Sequence, residues 1–390
     1  MLQALECGEP DYVPLSFMIY AALRGRCEDD FEFVDRQIDI GLDATVRLGL
    51  SSSGPPNNRD LPGLPIHYHE DVEVDQWIQE APHRGDPVIM HKEYHTPAGV
   101  LSTAVNRTDD WPYGNHVPLL DDYLCPRSQK FLVETVEDLD ALRYLLTPPS
   151  EEDIEAFRAE SERAIEFAAD RGLLITGGRG VGIDASAWLC GFRNVAIAAI
   201  RRPDFVEGLA ELLHTWNRER MRVFLDVGVD LFVRRGWYEG TDFWSPRLYR
   251  RFILPYLKKE IEMAHDAGAK FGYIMTSGSM PLLDMLAETG LDVLIGVDPV
   301  QGKGTDLTQM KSKLGGRVCL WGGVNGFITM ETGSEEEVRG AVRRAVKVLG
   351  PSGGFILSPV DNVRDDSQAT RKRVQTMIEE WIRIRNYPID

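Results

Sequence analysis

Arginine side chains recur at or just beyond the ends of the predicted strands, where they could bind anions. They are Arg47, Arg179, Arg234, Arg235 and Arg364. The planar guanidinium fork matches the geometry of a carboxylate. The pattern predicts a pocket for an anionic substrate, with Arg179 and Arg234 as the leading candidates because glycines or a strand end bring them to its rim. Ion pairing with acids in neighbouring loops is the structural alternative for each arginine.

Acidic and aromatic side chains form a second group. The segment WYEGTDFW, residues 237–244, contains Tyr238, Glu239 and Asp242. A carboxyl group beside aromatic walls can have a raised pKa and serve as a general acid. We take Glu239 as the candidate acid, with Tyr238 and Asp242 beside it in the catalytic group. Ordering of the loop before the helix at Ser245 is the alternative, and it suits Asp242 better.

Other side chains after later strands complete the predicted substrate pocket. Asp298 follows the sixth predicted strand and Asp361 follows the eighth. In the segment WGGVN, Trp321 could form an aromatic wall and Asn325 could place an amide over the pocket. The structural alternatives are a hydrogen bond to the 302–305 loop for Asp298 and a tight turn for WGGVN.

Histidines cluster between residues 67 and 116. On a strand, His67 and His69 would share a face, as would His91, Glu93 and His95. Two paired strands could therefore present a His/Glu metal site, or one histidine could contact substrate. Chance placement on a hairpin surface is the alternative. The five cysteines are scattered without a CxxC pair, which indicates neither a disulfide frame nor a zinc ribbon.

The run GGRGVG, residues 177–182, follows a predicted strand and is similar in composition to phosphate-binding loops. Its spacing fits neither the dinucleotide-binding fingerprint nor the P-loop. A close approach of the backbone at the pocket is the favoured interpretation.

The overall charge is strongly acidic. The 390 residues have a formal net charge of −18. This argues against nucleic acids and anionic membrane surfaces as partners, since both require basic patches. No apolar run has the length of a bilayer-spanning helix, and no signal peptide is visible. We expect a cytoplasmic enzyme.

These side chains need a scaffold in which strands and helices alternate. Strands are predicted near residues 13, 43, 173, 229, 271, 293, 318 and 355, with helices in most of the gaps. Alternation of this kind predicts a parallel sheet, and eight units favour a closed (β/α)8 barrel within the α/β class. A doubly wound open sheet is the alternative. Active sites of such folds lie at the carboxyl ends of the strands.

Residues 51–128 interrupt this alternation. They are rich in Pro, Gly, Asp, His and Tyr, with short alternating runs at 66–74, 88–95 and 100–106. We interpret them as a β-rich insertion that lies as a lid over the carboxyl-terminal mouth of one barrel domain spanning residues 1–390.

Several motifs resemble the uroporphyrinogen decarboxylase superfamily. They are GVDLFV followed by SP, PYLK, His265, Gly268 and a glycine loop, together with ALECGEPDYVPLSF, GGVNG and GGFILSP. That superfamily contains the decarboxylases of haem synthesis and the corrinoid-linked methyltransferases, and the resemblance implies the barrel fold. YHTPAGVLST is similar to a hairpin in the methyltransferase-like branch.

The resemblance also bears on metal binding. The zinc-dependent methyltransferases carry His-x-Cys after the fifth strand and a further Cys after the eighth. The corresponding positions here are Met275, Ser277 and Val360. Because these side chains cannot form a thiolate-rich site, we expect no zinc there. The arginine-rich motif of the decarboxylase branch is missing as well, since the chain reads SFMIYAALRGR after its first strand.

The resemblance implies a methyltransferase that moves a methyl group from a small methylated compound, often an aromatic ether or amine, to a corrinoid protein. No cofactor would be firmly bound, Glu239 would protonate the leaving group, and Arg179 and Arg234 would anchor a carboxylate. A cofactor-independent decarboxylase or lyase is the enzymatic alternative. A non-catalytic binding protein on a degenerate barrel is the alternative from another class. The substrate and the oligomeric state stay open.

Overall fold

The computed structural model describes residues 1–49, 60–61, 63–80, 83, 86–302 and 304–389, without the side chain of Arg179. Its strands, in chain order, are β1 (Thr45–Arg47), β2 (Glu73–Gln79), β3 (Val88–Thr96), β4 (Gly99–Arg107), β5 (Ser128–Lys130), β6 (Leu174–Val181), β7 (Leu231–Arg235), β8 (Lys270–Ile274), β9 (Val293–Val297), β10 (Cys319–Asn325) and β11 (Phe355–Val360).

Within the described residues, a seven-stranded parallel sheet runs in the order β1-β6-β7-β8-β9-β10-β11. The sheet is curled, because side chains from strands far apart in this order pack into one interior cluster. Leu174 of β6, Ile274 of β8 and Ile356 of β11 all belong to it. The fold is therefore mixed α/β with a curled parallel sheet, and the predicted strands from 173 onward are confirmed.

Residues 13–17, predicted as the first strand, form isolated bridges instead of a regular ladder. Leu15 pairs in parallel with Leu357, and Ile19 pairs with Asn362. On the other side, the amide of Asp43 donates to the carbonyl of Leu15 over 2.9 Å. The segment thus lies between the last strand of the sheet and the chain that leads into β1.

Most of the helices cover the outside of the sheet, whereas the first helix packs on its interior cluster. The helices are α1 (Leu2–Leu5), α2 (Ala21–Arg24), α3 (Asp30–Asp39), α4 (Asp138–Leu142), α5 (Glu151–Arg171), α6 (Ser186–Cys190), α7 (Phe192–Arg201), α8 (Pro203–Asp226), α9 (Pro246–Phe252), α10 (Leu254–Asp266), α11 (Leu283–Ala287), α12 (Leu307–Leu314), α13 (Glu335–Leu349) and α14 (Gln368–Ile384). Among the described helices none alone meets the length and apolarity required to cross a bilayer, although the bent pair 183–190 and 192–201 passes on length and composition.

The long helix predicted after Ser245 is divided. Ser245 caps it as expected, accepting the amide of Leu248, but α9 ends at Phe252 and α10 begins at Leu254. Pro255 explains the break, because proline has no amide hydrogen and its ring clashes with the preceding turn.

A second, antiparallel sheet occupies the region predicted to be a β-rich insertion. Its order is β2-β3-β4-β5. Met90 and Tyr94 of β3 and Leu101 of β4 are buried and join the main core. The parts of the predicted insertion at 51–59, 62, 81–82 and 84–85 lie outside the described residues.

Helix α1 fills the opposite end of the curled sheet. Ala4 and Leu5 are buried in the interior cluster. The amide of Gly354, immediately before β11, donates to the carbonyl of Gly8, which places this segment at the amino ends of the strands. The other end of the sheet is left open for a site.

Candidate active site

A cavity of about 640 Å³ lies at the carboxyl ends of the parallel strands. Strand residues such as Thr176, Val233 and Ile295 form its floor, and Phe17, Trp237 and Trp321 supply aromatic walls. Its charged lining residues are Arg47, Arg235, Arg364, Asp122 and Asp361. This volume is typical of small-molecule sites.

Arg47, at the end of β1, lines the cavity. Within the described part of the chain, its Nη2 donates a long bond, 3.5 Å, to the carbonyl of Met18. None of the described carboxylates lies within ion-pair distance of it. Its side chain is exposed to the cavity, yet the surrounding protein lowers its pKa through burial. Because arginine stays protonated in proteins, this is a positive charge that a bound anion would neutralise.

Arg235, at the end of β7, is held rigidly. It is 2% exposed, and its Nε donates to Asp184 Oδ2 over 2.5 Å. Its Nη2 donates to Asp122 Oδ1 over 3.0 Å. The surrounding ring centroids lie 4.4 Å (Trp188), 4.9 Å (Trp237) and 5.7 Å (Tyr238) from its central carbon. This side chain lines the cavity with its fork facing Asp122, and its role as a substrate-side arginine stays a prediction.

Asp361, directly after β11, has a backbone conformation that is uncommon for residues other than glycine. Its φ is +67°, a conformation that aspartate adopts more readily than most residues with side chains. Burial raises its pKa, Arg364 opposes the rise, and the nearby Asp122 adds to it. A cavity carboxyl group that retains its proton at higher pH is suited to general acid chemistry.

Glu239 and Arg234 do not line this cavity, so the prediction that they point into it together is wrong. Side chains alternate along a strand, and Arg234 therefore lies on the opposite face of β7 from Arg235. Arg234 is 1% exposed and donates to Glu239 Oε1 over 2.7 Å. Glu239 also accepts from the Tyr273 hydroxyl and the Asp184 amide.

Glu239 belongs to a buried polar cluster between the sheet and the outer helices. Arg234 Nη1 lies 3.2 Å from Glu260 Oε2, and His214 Nδ1 lies 2.9 Å from Glu260 Oε1. Burial raises the pKa of Glu239 to about 7, although Arg234 opposes the rise. The raised pKa expected of a general acid is present, but the group is on the wrong side of the strand to reach the cavity.

Asp298 and Asn325 also lie outside the cavity lining, contrary to prediction. Asn325 Nδ2 donates to Asp298 Oδ2 over 2.7 Å, and Asp298 Oδ1 accepts the amides of Val300 and Gln301. Both order the loops after β9 and β10. Trp321 does line the cavity, as expected, and its Nε1 donates to the carbonyl of Ser16.

Tyr238 and Asp242 lie at a neighbouring, smaller cavity of about 260 Å³. Tyr238 borders both cavities, and its hydroxyl donates to Asp122 Oδ1 over 2.7 Å. Asp242 borders only the smaller one. It is exposed, and Ser245 takes the helix-capping role.

Most of the glycine run at 177–182, which follows the third predicted strand, is part of β6. Gly177 and Gly178 line the cavity, and a Cβ on Gly178 would lie 2.5 Å from the Phe232 ring. The run therefore packs closely on Phe232, and a close approach of its backbone to a bound ligand stays a prediction. The backbone of Arg179 is in the strand, and its side chain lies outside the described part of the chain.

The positions that correspond to the zinc ligands of the related methyltransferases, Met275, Ser277 and Val360, contain no suitable donor set. Met275 and Val360 are each 1% exposed, and a thioether, a hydroxyl and an isopropyl group do not fit zinc. Groups of three or more potential ligands are absent among the described residues. Three histidines of the predicted metal-binding group contact other side chains. His67, before the antiparallel sheet, lies 2.7 Å from Asp153, and in β3 His91 lies 3.0 Å from Gln79 and His95 lies 3.3 Å from Asp75.

Asp122 and Asp184 were not predicted. Asp184 follows the glycine run and is fully buried, so only its place after a strand could have indicated a role. Asp122 lies in an irregular stretch without apolar periodicity, and nothing local links it to β7.

The chain belongs to the uroporphyrinogen decarboxylase (URO-D) family, whose model matches residues 114–365. The resemblance inferred from the motifs is thereby confirmed. A uroporphyrinogen decarboxylase from Thioalkalivibrio sulfidiphilus (strain HL-EbGR7) is 29% identical over 117 residues, which span 29% of this chain and 31% of that protein. The solved structure of a methyltransferase from Methanosarcina mazei matches with a TM-score of 0.55 at 16% identity, over 98% of this chain and 97% of that one. This likeness shows that the two chains share a fold.

Proposed function

We propose that the chain is a methyltransferase that removes a methyl group from a small methylated aromatic carboxylate and passes it to a corrinoid protein. The observation that carries this proposal is the guanidinium of Arg47, which pairs with none of the described carboxylates and lies in the same aromatic-walled cavity as Asp361. Arg47 replaces Arg234, and Asp361 replaces Glu239, in the roles first assigned from the sequence.

The charge of the cavity favours a small anion. Its described lining has three arginines and two carboxylates, and Arg235 is already paired with Asp184 and Asp122. With Asp361 protonated, as its proposed role requires, the three arginines exceed Asp122 and Asp184 by one positive charge. One substrate carboxylate balances that charge, whereas a large polycarboxylate would leave buried charge unpaired. Trp237 and Trp321 offer faces against which an aromatic ring can pack.

Asp361 would act on the leaving group. When the methyl carbon–oxygen bond of an aryl ether breaks, the bonding electron pair remains on the oxygen, and a proton from Asp361 neutralises it. A corrinoid on the partner protein would supply the electron pair that accepts the methyl group. Arg47 would hold the ring carboxylate so that the ether oxygen lies near Asp361.

The proposal also includes two structural features of the whole chain and its location in the cell. Residues 13–19 would close the sheet into an eight-stranded (β/α)8 barrel, supported by their bridges on both sides. Residues 51–128 would form the lid of a single domain, supported by Asp122 in the cavity lining. A cytoplasmic location is supported by the five unpaired cysteines.

Decarboxylation is the second candidate, favoured by the same pair of groups. In that reaction a carbon–carbon bond breaks, carbon dioxide departs, and the electron pair left on carbon takes the proton of Asp361. The arginines would bind the remaining carboxylates. Both reactions need an anion site and an acid, so the product distinguishes them.

The test uses 4-methoxybenzoate with free, reduced cobalamin as the methyl acceptor. We expect methylcobalamin, followed by its absorbance, and 4-hydroxybenzoate in equal amounts. Arg47→Ala should weaken substrate use roughly ten- to hundredfold, because a charged hydrogen bond is lost. Arg193→Ala, which removes an exposed arginine of α7, is the matched control and should behave like the parent.

Release of carbon dioxide without methylcobalamin would replace this proposal with the decarboxylase candidate. Tight binding of aromatic carboxylates with neither product would support the non-catalytic binding protein.

A further inference from the structure

The Asp122 carboxylate is surrounded by donors that could equally bind a ligand carboxylate. Its Oδ1 accepts from Arg235 Nη2 over 3.0 Å, from Trp188 Nε1 over 3.0 Å and from the Tyr238 hydroxyl over 2.7 Å. Arg235 Nη1 lies 3.5 Å from Oδ2, so the guanidinium fork faces both oxygens. The donors thus form a complete binding site for one carboxylate.

The donors around Asp122 are held in place by residues other than Asp122. Asp184 is 0% exposed and fixes Arg235 through Nε and Tyr238 through its amide, over 2.5 and 2.6 Å. Trp188 is 2% exposed and packs on the same guanidinium. The donors would therefore keep their positions if the Asp122 carboxylate left.

Asp122 itself is held less firmly. Its side chain is 46% exposed, against 2% for Arg235. It lies in a turn before β5 and outside any helix or strand. Rotation of this side chain toward solvent would expose the donor cluster to the cavity, which Arg235 and Tyr238 both line.

We propose that Arg235, Trp188 and Tyr238 form a carboxylate subsite of the cavity, and that Asp122 is a built-in occupant that a ligand carboxylate displaces. Asp122 then acts as an internal competitor. With Arg47 as a separate anchor, the cavity would accept aromatic dicarboxylates. This inference concerns binding alone and does not depend on whether a methyl group is transferred.

The test is calorimetric titration with isophthalate, an aromatic dicarboxylate. If Asp122 competes with the ligand, Asp122→Ala should bind isophthalate at least tenfold more tightly than the parent, because the charge-assisted bonds no longer have to be exchanged. Asp122→Asn, which keeps the shape and removes the charge, should show a smaller gain. Asp109→Asn removes an exposed carboxylate from the same part of the chain and should change affinity less than twofold, which controls for net charge.

The double variant Arg47→Ala/Asp122→Ala shows at which arginine the increase in isophthalate affinity arises. The improvement caused by Asp122→Ala should persist when Arg47 is absent, because it arises at Arg235. Thermal unfolding should show that both Asp122 variants are slightly less stable, so that stability and affinity change in opposite directions.

Unchanged or weaker binding by both Asp122 variants would overturn the inference. Asp122 would then have a structural role, holding the turn before β5 against β7. Methyl transfer by the parent would be unaffected by that result. Conversely, a gain in affinity would stand even if no methyl transfer were found.

Discussion

At the scale of single residues, neighbours in sequence have opposite surroundings. Arg235 faces the cavity, while Arg234 is enclosed with Glu239 on the other face of β7. Of the acids predicted from the sequence, Asp361 lines this cavity, and its backbone conformation restricts which substitutions can test it.

Asp361→Asn should remove the proton donor and leave the fold intact, because asparagine also tolerates a positive φ. Turnover should fall on the order of a hundredfold, with little change in KM. The parent's rate should decline as pH rises through the raised pKa of Asp361, since the acid must be protonated, and the variant should lack this decline. Steady-state kinetics across pH would check both effects. Equal turnover in parent and variant would contradict the role of Asp361.

The chemical content of the site could be predicted from sequence better than its placement. Arg235, Tyr238, Trp321 and Asp361 line the cavity as expected, since each lies within or just after a strand of the parallel sheet. Which of two adjacent arginines faces inward depends on the phase of β7, and both faces of that strand are apolar. The phase is therefore not readable from the pattern.

At the scale of elements, β7 carries a buried charge cluster whose protonation affects stability. Burial raises the pKa of Glu239 from 4.5 to about 7, so the folded chain holds this proton more tightly than the unfolded chain. The resulting stability is full below the unfolded pKa and is lost as pH rises through the folded pKa.

Glu239→Gln should abolish this dependence, because glutamine does not titrate. From about pH 5 to about pH 8, the free energy of unfolding of the parent should fall relative to the variant by up to about 3 kcal/mol. Urea unfolding at several pH values would measure it. Glu262→Gln, which changes an exposed acid of α10, should show no such trend. A constant difference between parent and Glu239→Gln would contradict the raised pKa.

Helix α1 offers a matched pair of substitutions. Leu5 is 1% exposed within the interior cluster, whereas Leu2 is 48% exposed. Leu5→Ala should lower the free energy of unfolding by about 2–5 kcal/mol, because it leaves a cavity in a packed interior. Leu2→Ala should change it by less than about 0.5 kcal/mol. If denaturant unfolding gave similar losses for both, α1 would not be part of the interior core.

The order of strands and helices could be predicted from the sequence more accurately than the residues at which they end. Strand β9 spans 293–297 as predicted, because its apolar run is continuous and ends at Asp298. β6 extends five residues beyond its predicted end at 176, and β10 extends four residues beyond its predicted end at 321. The added residues are rich in glycine, which has no side chain to contribute to an apolar pattern.

At the scale of the whole molecule, closure of the sheet depends on the segment at residues 13–19. The amide of Ser16 donates to Leu357, the amide of Leu357 donates to Pro14, and the amide of Asp43 donates to Leu15. If these bonds close a barrel, hydrogen exchange in peptides covering 13–19 should be as slow as in the β10–β11 ladder. Rapid exchange at 13–19 beside a protected ladder would indicate an open sheet.

The most direct test of the proposed reaction follows two carbons of one substrate. 4-Methoxybenzoate labelled with ¹³C in both its methyl and carboxyl groups is turned over with reduced cobalamin, and the products are resolved by NMR. The proposed chemistry predicts that the methyl label appears in methylcobalamin while the carboxyl label stays in 4-hydroxybenzoate. Label in carbon dioxide, with the methyl group still bound to oxygen, would contradict it.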